Sequence, residues 1–100
     1  MKVSLFCSGG FSTSLLASKM LEAYKQRGRE DVQVEAYDFG SLDSVIEDTD
    51  VVLLGPQISW AKSQVEEDYP DKKIILMTIK EFGSMNGELI VNRIEQELDK

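Results

Sequence analysis

Four short apolar runs alternate with stretches whose apolar residues recur at helical spacing, and this alternation restricts the chain to an α/β fold. Lys2 to Phe6, with its apolar run from Val3, reads as a buried strand. Val32, Val34 and Ala36 alternate with Gln33, Glu35 and Tyr37, which gives a strand with one polar face and places it at a sheet edge. Val51 to Leu54 is continuously apolar between Asp50 and Gly55, the pattern of a central strand, and Ile74 to Met77 is the last run. Between the runs, Leu16, Met20, Ala23 and Tyr24 share one helix face, as do Ile58, Ala61 and Val65, and later Ile90, Ile94 and Leu98. Leu42, Val45 and Ile46 form a shorter face. The helical pattern begins at Leu15, with Ser12 or Thr13 as its cap and Gly28 as its stop. Lys80 to Ser84 is read as one turn ended by Gly83, and Asn86 or Gly87 opens the final helix. Strands alternating with helices predict a four-stranded parallel sheet with helices on both faces, and the polar alternation of the second strand predicts the order 2-1-3-4.

Ligand sites in such sheets lie beyond the carboxyl ends of the strands, where the strand order reverses. Here that point falls between the first and third strands. It makes neighbours of the loop after Phe6 and the loop after Leu54, hence of Cys7 and Gln57, with Gly55 and Pro56 as further second-loop contacts. The first loop runs Leu5-Phe6-Cys7-Ser8-Gly9-Gly10-Phe11-Ser12-Thr13-Ser14. A strand, two glycines, three hydroxyl residues and a helix start form the geometry in which backbone N–H groups converge on an anion, aided by the helix dipole. A thiol before a helix N-terminus is favoured as its nucleophilic thiolate. The residues therefore predict a partly exposed nucleophile at Cys7 and a phosphate cradle made by Ser8, Gly9, Gly10, Phe11, Ser12, Thr13 and Ser14. The competing reading is a structural thiol, since free cysteine is among the most buried residue types. Neither G-x-G-x-x-G nor G-x-x-x-x-G-K-[ST] is present, so the loop does not read as a dinucleotide or nucleoside triphosphate site.

Composition narrows the chemistry. With 100 residues, 42% of them apolar, the chain fits one domain over 1–100, able to bury roughly two-thirds of its unfolded surface. Eighteen acidic and 11 basic residues give a net charge of −7, which argues against nucleic acid or an anionic membrane surface as a partner. The single cysteine excludes an internal disulfide and a C-x-x-C redox pair. No histidine is present, so the commonest metal ligand and general base are both missing, and neither a metal nor another cofactor is expected. The apolar run at the start is too short for a signal peptide and none spans a bilayer, so a cytoplasmic location is expected.

The fold and loop resemble those of low-molecular-weight tyrosine phosphatases, whose loop reads C-x-x-x-x-x-R-[ST]. In this chain Thr13 takes the arginine position and Ser14 follows, so the cation that would clamp the phosphoryl equator is missing. A carrier that holds a phosphoryl group fits that loop better than a hydrolase, with a phosphatase-like phosphate-binding protein as the alternative. Leu5 to Leu16, taken with Asp50-Val51-Val52-Leu53-Leu54-Gly55-Pro56-Gln57-Ile58, resembles enzyme IIB of the lactose/cellobiose (chitobiose) class of the phosphoenolpyruvate-dependent sugar phosphotransferase system. The resemblance implies a phosphocysteine at Cys7 and a phosphate loop over Ser8 to Ser14. It implies a phosphoryl donor, the histidine of a IIA subunit, and an acceptor, a sugar entering through the membrane subunit IIC: a β-linked disaccharide such as cellobiose, chitobiose or lactose. It also implies transient association with the inner membrane face through IIC. The family pattern after the cysteine is a small residue followed by Gly-Met-Ser-Thr-Ser; here Gly9 takes the small position and Phe11 that of the methionine. An apolar docking surface is expected around Cys7, with Phe11, Pro56 and Ile58 as candidates.

Overall fold

The computed structural model describes residues 1–8 and 11–99, with the side chains of Phe11 and Ser12 outside the description. Its elements are β1 (Lys2–Cys7), α1 (Phe11–Gln26), β2 (Gln33–Asp38), α2 (Leu42–Val45), β3 (Val51–Leu54), α3 (Lys62–Asp68), β4 (Lys73–Leu76), α4 (Ile79–Ser84) and α5 (Gly87–Leu98). Short 3₁₀ turns cover Phe39–Ser41, Ile46–Asp48 and Pro56–Ala61. The strands form one parallel sheet in the order β2-β1-β3-β4, as the alternation in β2 predicts.

Side chains alternate across the sheet, so each face has its own core. Val3, Leu5, Val51, Leu53 and Ile75 point to the face covered by α1 and α5, where Leu16, Met20, Tyr24, Ile90 and Ile94 are fully or nearly fully buried. Phe6, Val52 and Leu54 point to the opposite face, closed by Leu42, Ile46, Ile58, Ala61 and Val65. On this second face Ser4 is buried, and its hydroxyl bonds that of Thr49 at 2.7 Å, which itself donates to Val45 O. The polar position in β1 is thereby satisfied without interrupting the sheet.

Helix ends follow local chemistry. α1 stops where Gly28 adopts φ +77°, and its N–H bonds Lys25 O while that of Arg29 bonds Tyr24 O. This is a Schellman pair, which glycine adopts without Cβ strain. α4 opens on a capping box in which Thr78 and Glu81 exchange side-chain and backbone bonds.

Four expectations need correction. α1 begins at Phe11 rather than Leu15, so Ser12 and Thr13 lie within its first turn rather than before it. α4 is not ended by Gly83, which lies inside it; the left-handed residue is Met85, at φ 51°. The buried stripe of α5 is Ile90, Val91 and Ile94, whereas Leu98 is 41% exposed. Arg27 to Asp31 is more than a solvated turn: Arg27 pairs with Glu88 and bonds Asn92, and Arg29 lies 3.6 Å from Glu95, tying the end of α1 to α5.

Candidate functional site at the carboxyl end of the sheet

Cys7 is the last residue of β1, a strand with neighbours on both sides, and it stands in register opposite Asp38 of β2. Strand alternation turns its side chain to the same face as Val3 and Leu5, the face on which α1 lies. The sulfur meets the first turn of that helix: Cys7 Sγ and Thr13 Oγ1 are hydrogen-bonded, 2.5 Å apart, and both residues are buried. When the thiol is ionised its sulfur can only accept, so the Thr13 hydroxyl is then the donor. Thr13 can take this position because α1 starts early; a helix beginning at Leu15 would have left the hydroxyl in a loop.

The second loop closes the other side. The Gly55 N–H donates to Phe6 O at 2.9 Å, continuing the β1–β3 pairing one residue beyond β3. A methyl group at Gly55 would stand 3.1 Å from Cys7 Cβ and 2.6 Å from Gln57 Oε1. The absence of a side chain at Gly55 thus lets the two loops touch, and the Gln57 side chain folds back over the same spot. Cys7 and Gln57 are brought together as expected. Pro56 opens a 3₁₀ turn that runs to Ala61 and bends at Ile58, where φ is −117° and ψ is 31°.

Two expectations about this end of the sheet fail. Cys7 is 3% exposed, not partly exposed, because α1 begins immediately above it and Gly55 packs against its Cβ. Ile58 is 2% exposed and belongs to the core under α3, so it cannot be a docking residue. Ser8 and Ser14 are exposed and Pro56 is half-buried. Gly9, Gly10 and the side chains of Phe11 and Ser12 lie outside the described residues.

The residue pattern did not flag Ile79, Phe82 and Leu15. Ile79 is 80% exposed and, with Phe82, Gly83, Pro56 and Gln57, lines a shallow depression of about 350 Å³. Leu15 is 52% exposed, half a turn beyond Thr13. The same carboxyl-end rule that located Cys7 also applies to the segment after β4 and could have found Ile79. Contiguous exposed apolar residues of this kind mark surfaces that meet another molecule.

Comparison with known proteins agrees with this geometry. A family model described as "PTS system, Lactose/Cellobiose specific IIB subunit" matches residues 2–93. A galactose-specific EIIB component of Lactococcus lactis subsp. cremoris is 32% identical, the match covering 93% of this chain and 92% of that protein. An oligo-beta-mannoside-specific EIIB component of Bacillus subtilis is 34% identical, over 87% of this chain and 85% of that protein. Among solved structures, the cellobiose-specific IIB component of Borrelia burgdorferi superimposes with a TM-score of 0.78 at 30% identity, covering 99% of this chain and 92% of that one. The lactose-specific IIB domain of Streptococcus pneumoniae has a TM-score of 0.88 at 16% identity, over 97% and 96%, which shows the shared fold.

Proposed function

Because the chain belongs to the lactose/cellobiose-specific IIB family of the sugar phosphotransferase system, we propose that Cys7 is the residue on which it carries the phosphoryl group. IIB components are phosphotransferases that work with IIA and IIC partners. In the first step the Cys7 thiolate attacks the phosphorus of a phosphohistidine on IIA; the S–P bond forms, the P–N bond breaks, and the imidazole leaves with a proton. In the second, a sugar hydroxyl held by IIC attacks the same phosphorus, the S–P bond breaks, and the thiolate returns while the hydroxyl proton passes to a base on the acceptor side. Relatives named for cellobiose and oligo-beta-mannoside support a β-linked sugar such as a disaccharide, whereas a third is named for the monosaccharide galactose.

The observation that carries this reading is the bond between the chain's single cysteine and the Thr13 hydroxyl at the N-terminal turn of a 16-residue helix. A hydroxyl donor and the N-terminus of a helix both face the sulfur, and both remain available to phosphoryl oxygens once the group is loaded. Backbone N–H groups of the segment from Ser8 to Ser14 are the proposed remaining donors, with Gly55, Pro56 and Gln57 as the facing wall. Catalysis here is mainly positioning and charge stabilisation, which a buried, pre-set sulfur supplies without a general base. Serine and threonine hydroxyls in the loop would need an adjacent base, and the chain has no histidine to be one. The depression lined by Pro56, Gln57, Ile79 and Phe82 is the proposed seat of the phosphoryl donor, next to the reacting sulfur.

Intact mass after incubation with phosphorylated IIA, followed by peptide mapping under mild conditions, tests the assignment. The native chain should gain one phosphate on the peptide holding Cys7, and Cys7→Ser none. Phosphate on Ser12, Thr13 or Ser14, or sugar phosphorylation sustained by Cys7→Ser, would overturn it.

A further inference from the structure

The 3₁₀ turns after β2 and β3 carry Phe39 and Trp60, whose rings meet edge to face with centroids 5.6 Å apart. These two strands flank β1, so the pair bridges the sheet end on the α2–α3 side, across from the wall that α1 forms around Cys7. Behind it lies a groove of about 310 Å³. Among the described residues its lining includes Leu42, Asp43, Asp68 and Tyr69 beside the two aromatics, and no lysine or arginine. Trp60 is 73% exposed, an extreme value for the chain's single tryptophan. The Tyr69 hydroxyl donates to Asp43, and that bond first, then burial, then the charges of Asp43, Asp68 and Glu47 hold the Tyr69 phenol above its ordinary range. Negative charge is therefore concentrated at one end of an aromatic trough.

We propose that this groove docks a basic segment of the membrane-bound acceptor subunit, with an arginine or lysine over the Trp60 ring and its charge facing Asp43 and Asp68. Charge complementarity selects the occupant: aromatic faces and carboxylates converge on one site, and no lysine or arginine is among the described residues that line it. Cytoplasmic loops of membrane proteins carry an excess of lysine and arginine, which gives the acceptor side the matching chemistry. The choice of partner rests on the phosphoryl-carrier reading; the cation-binding groove itself does not. Donor and acceptor would then use different rims of one sheet end, the donor beside Ile79 and the acceptor beside Trp60.

Trp60 is its own reporter. Its emission is followed while the full chain is titrated with a nine-residue peptide alternating arginine and leucine, and with the glutamate counterpart. A saturable change with the basic peptide alone is expected. Its affinity should fall about fivefold or more in Asp43→Asn/Asp68→Asn. It should stay within about twofold in Glu22→Gln/Glu30→Gln, which makes the same charge change on the other face. Equal losses in the two variants, an equal response to the acidic peptide, or a concentration-dependent emission change without peptide, which would mean that a second copy covers the groove, each overturn the proposal. In vesicles holding the acceptor subunit, Trp60→Ala should require several-fold more protein for half-maximal sugar phosphorylation while accepting phosphate from IIA at the native rate. An unchanged requirement would overturn the choice of partner. Failure of the carrier reading would appear separately, as onward transfer by Cys7→Ser, and would leave the peptide titration standing.

Discussion

Gly87→Ala should be among the most damaging single substitutions in this chain, although it adds one methyl group. Gly87 is the first residue of α5 and lies directly on the backbone of α1. A Cβ there would stand 2.3 Å from Lys19 O, 2.4 Å from Lys19 C and 2.7 Å from Met20 N. Real Cβ contacts essentially never fall under 3.0 Å, so α5 must retreat by about 0.7 Å at this crossing, and no side chain can rotate away because the obstruction is backbone. A gap of that size forfeits a quarter to a half of each dispersion contact it opens. Ile90, Val91 and Ile94 follow on the same helix and are fully buried against α1 and the sheet. Side chains of this kind stabilise by roughly 1.5–3 kcal/mol each when fully buried. Losing a quarter to a half of that over three residues gives about 1–4 kcal/mol, comparable with the usual cost of overpacking. The helix-propensity gain of alanine over glycine is at most about 1 kcal/mol and smaller at the first helical position. A net loss of about 2–3 kcal/mol corresponds to a fall in Tm of roughly 10–20 °C for a domain of this size. The matched control is Gly83→Ala, inside α4 with nothing within 4 Å of the added carbon, where stability should be unchanged or slightly higher. Circular dichroism melts of the two variants beside the native chain decide the matter. A Gly87→Ala melt within about 3 °C of native would refute the reasoning, because α5 would then have room that the backbone distances deny it.

Removing the Thr13 hydroxyl with Thr13→Val should slow phosphoryl uptake and iodoacetamide alkylation of Cys7 at pH 7 by about tenfold or more, since a hydrogen bond to a charged group is worth roughly 1.5–3 kcal/mol, while Thr13→Ser should stay within about threefold; native rates in the valine variant would show that the bond is incidental. Burial first, and Glu95 second, push the Tyr24 phenol up to about 12 against the opposing pull of Arg29 and Arg27, and its hydroxyl is buried without a hydrogen-bond partner among the described residues. The fold thus favours the neutral phenol, so this contribution is intact below about pH 10 and falls by roughly 2 kcal/mol as pH rises to 12; Tyr24→Phe should be neutral or stabilising at pH 8 and flatten that slope, and a urea midpoint that drops at pH 8 would count against it. Burial opposes ionisation of Glu81, but the Thr78 N–H and the Arg93 guanidinium at 2.7 Å outweigh it and hold the carboxyl below its usual range. Its stabilisation is present above about pH 4.3 and lost as pH falls through the lower folded value, so Glu81→Gln should be less stable than the native chain at pH 7 and converge with it in acid, once the carboxyl is protonated; a constant difference across that range would assign the effect to packing.

Periodicity carried most of the architecture. The polar alternation of Gln33, Glu35 and Tyr37 marks an edge strand because only an edge or a half-solvated face tolerates it, and that one inference orders the sheet and places Cys7 beside the turn after β3. The same reasoning misplaced the start of α1. Serine and threonine compete with helical bonding through their own hydroxyls, so Ser12, Thr13 and Ser14 read as cap and loop residues. In the structure the Thr13 hydroxyl is occupied by the Cys7 sulfur, a tertiary contact six residues back that no local pattern encodes. Burial of Cys7 follows from that contact and from Gly55, whose need for close approach is likewise a property of two loops rather than of either. Ile58 looked available because it follows a turn, yet the bend at its own backbone drives it under α3. Met85 takes the left-handed conformation that Gly83 was expected to supply, and the capping box at Thr78 explains why α4 starts where it does but not why it outlasts a glycine.

Cys7 ends a strand that is paired along both edges and roofed on both faces, and this position has a consequence for motion. Amides along Val3 to Phe6 have no local route to solvent: fraying cannot reach a strand held between β2 and β3, and neither core can part without the other. Their hydrogen exchange should therefore report the free energy of opening the whole molecule, while amides of β2 and of the α4 region exchange through smaller excursions. The sulfur is fixed to the least mobile part of the protein. For the proposed phosphocysteine, whatever reorientation a transfer between two partners requires must come from those partners docking and leaving, since the sulfur has no swing of its own.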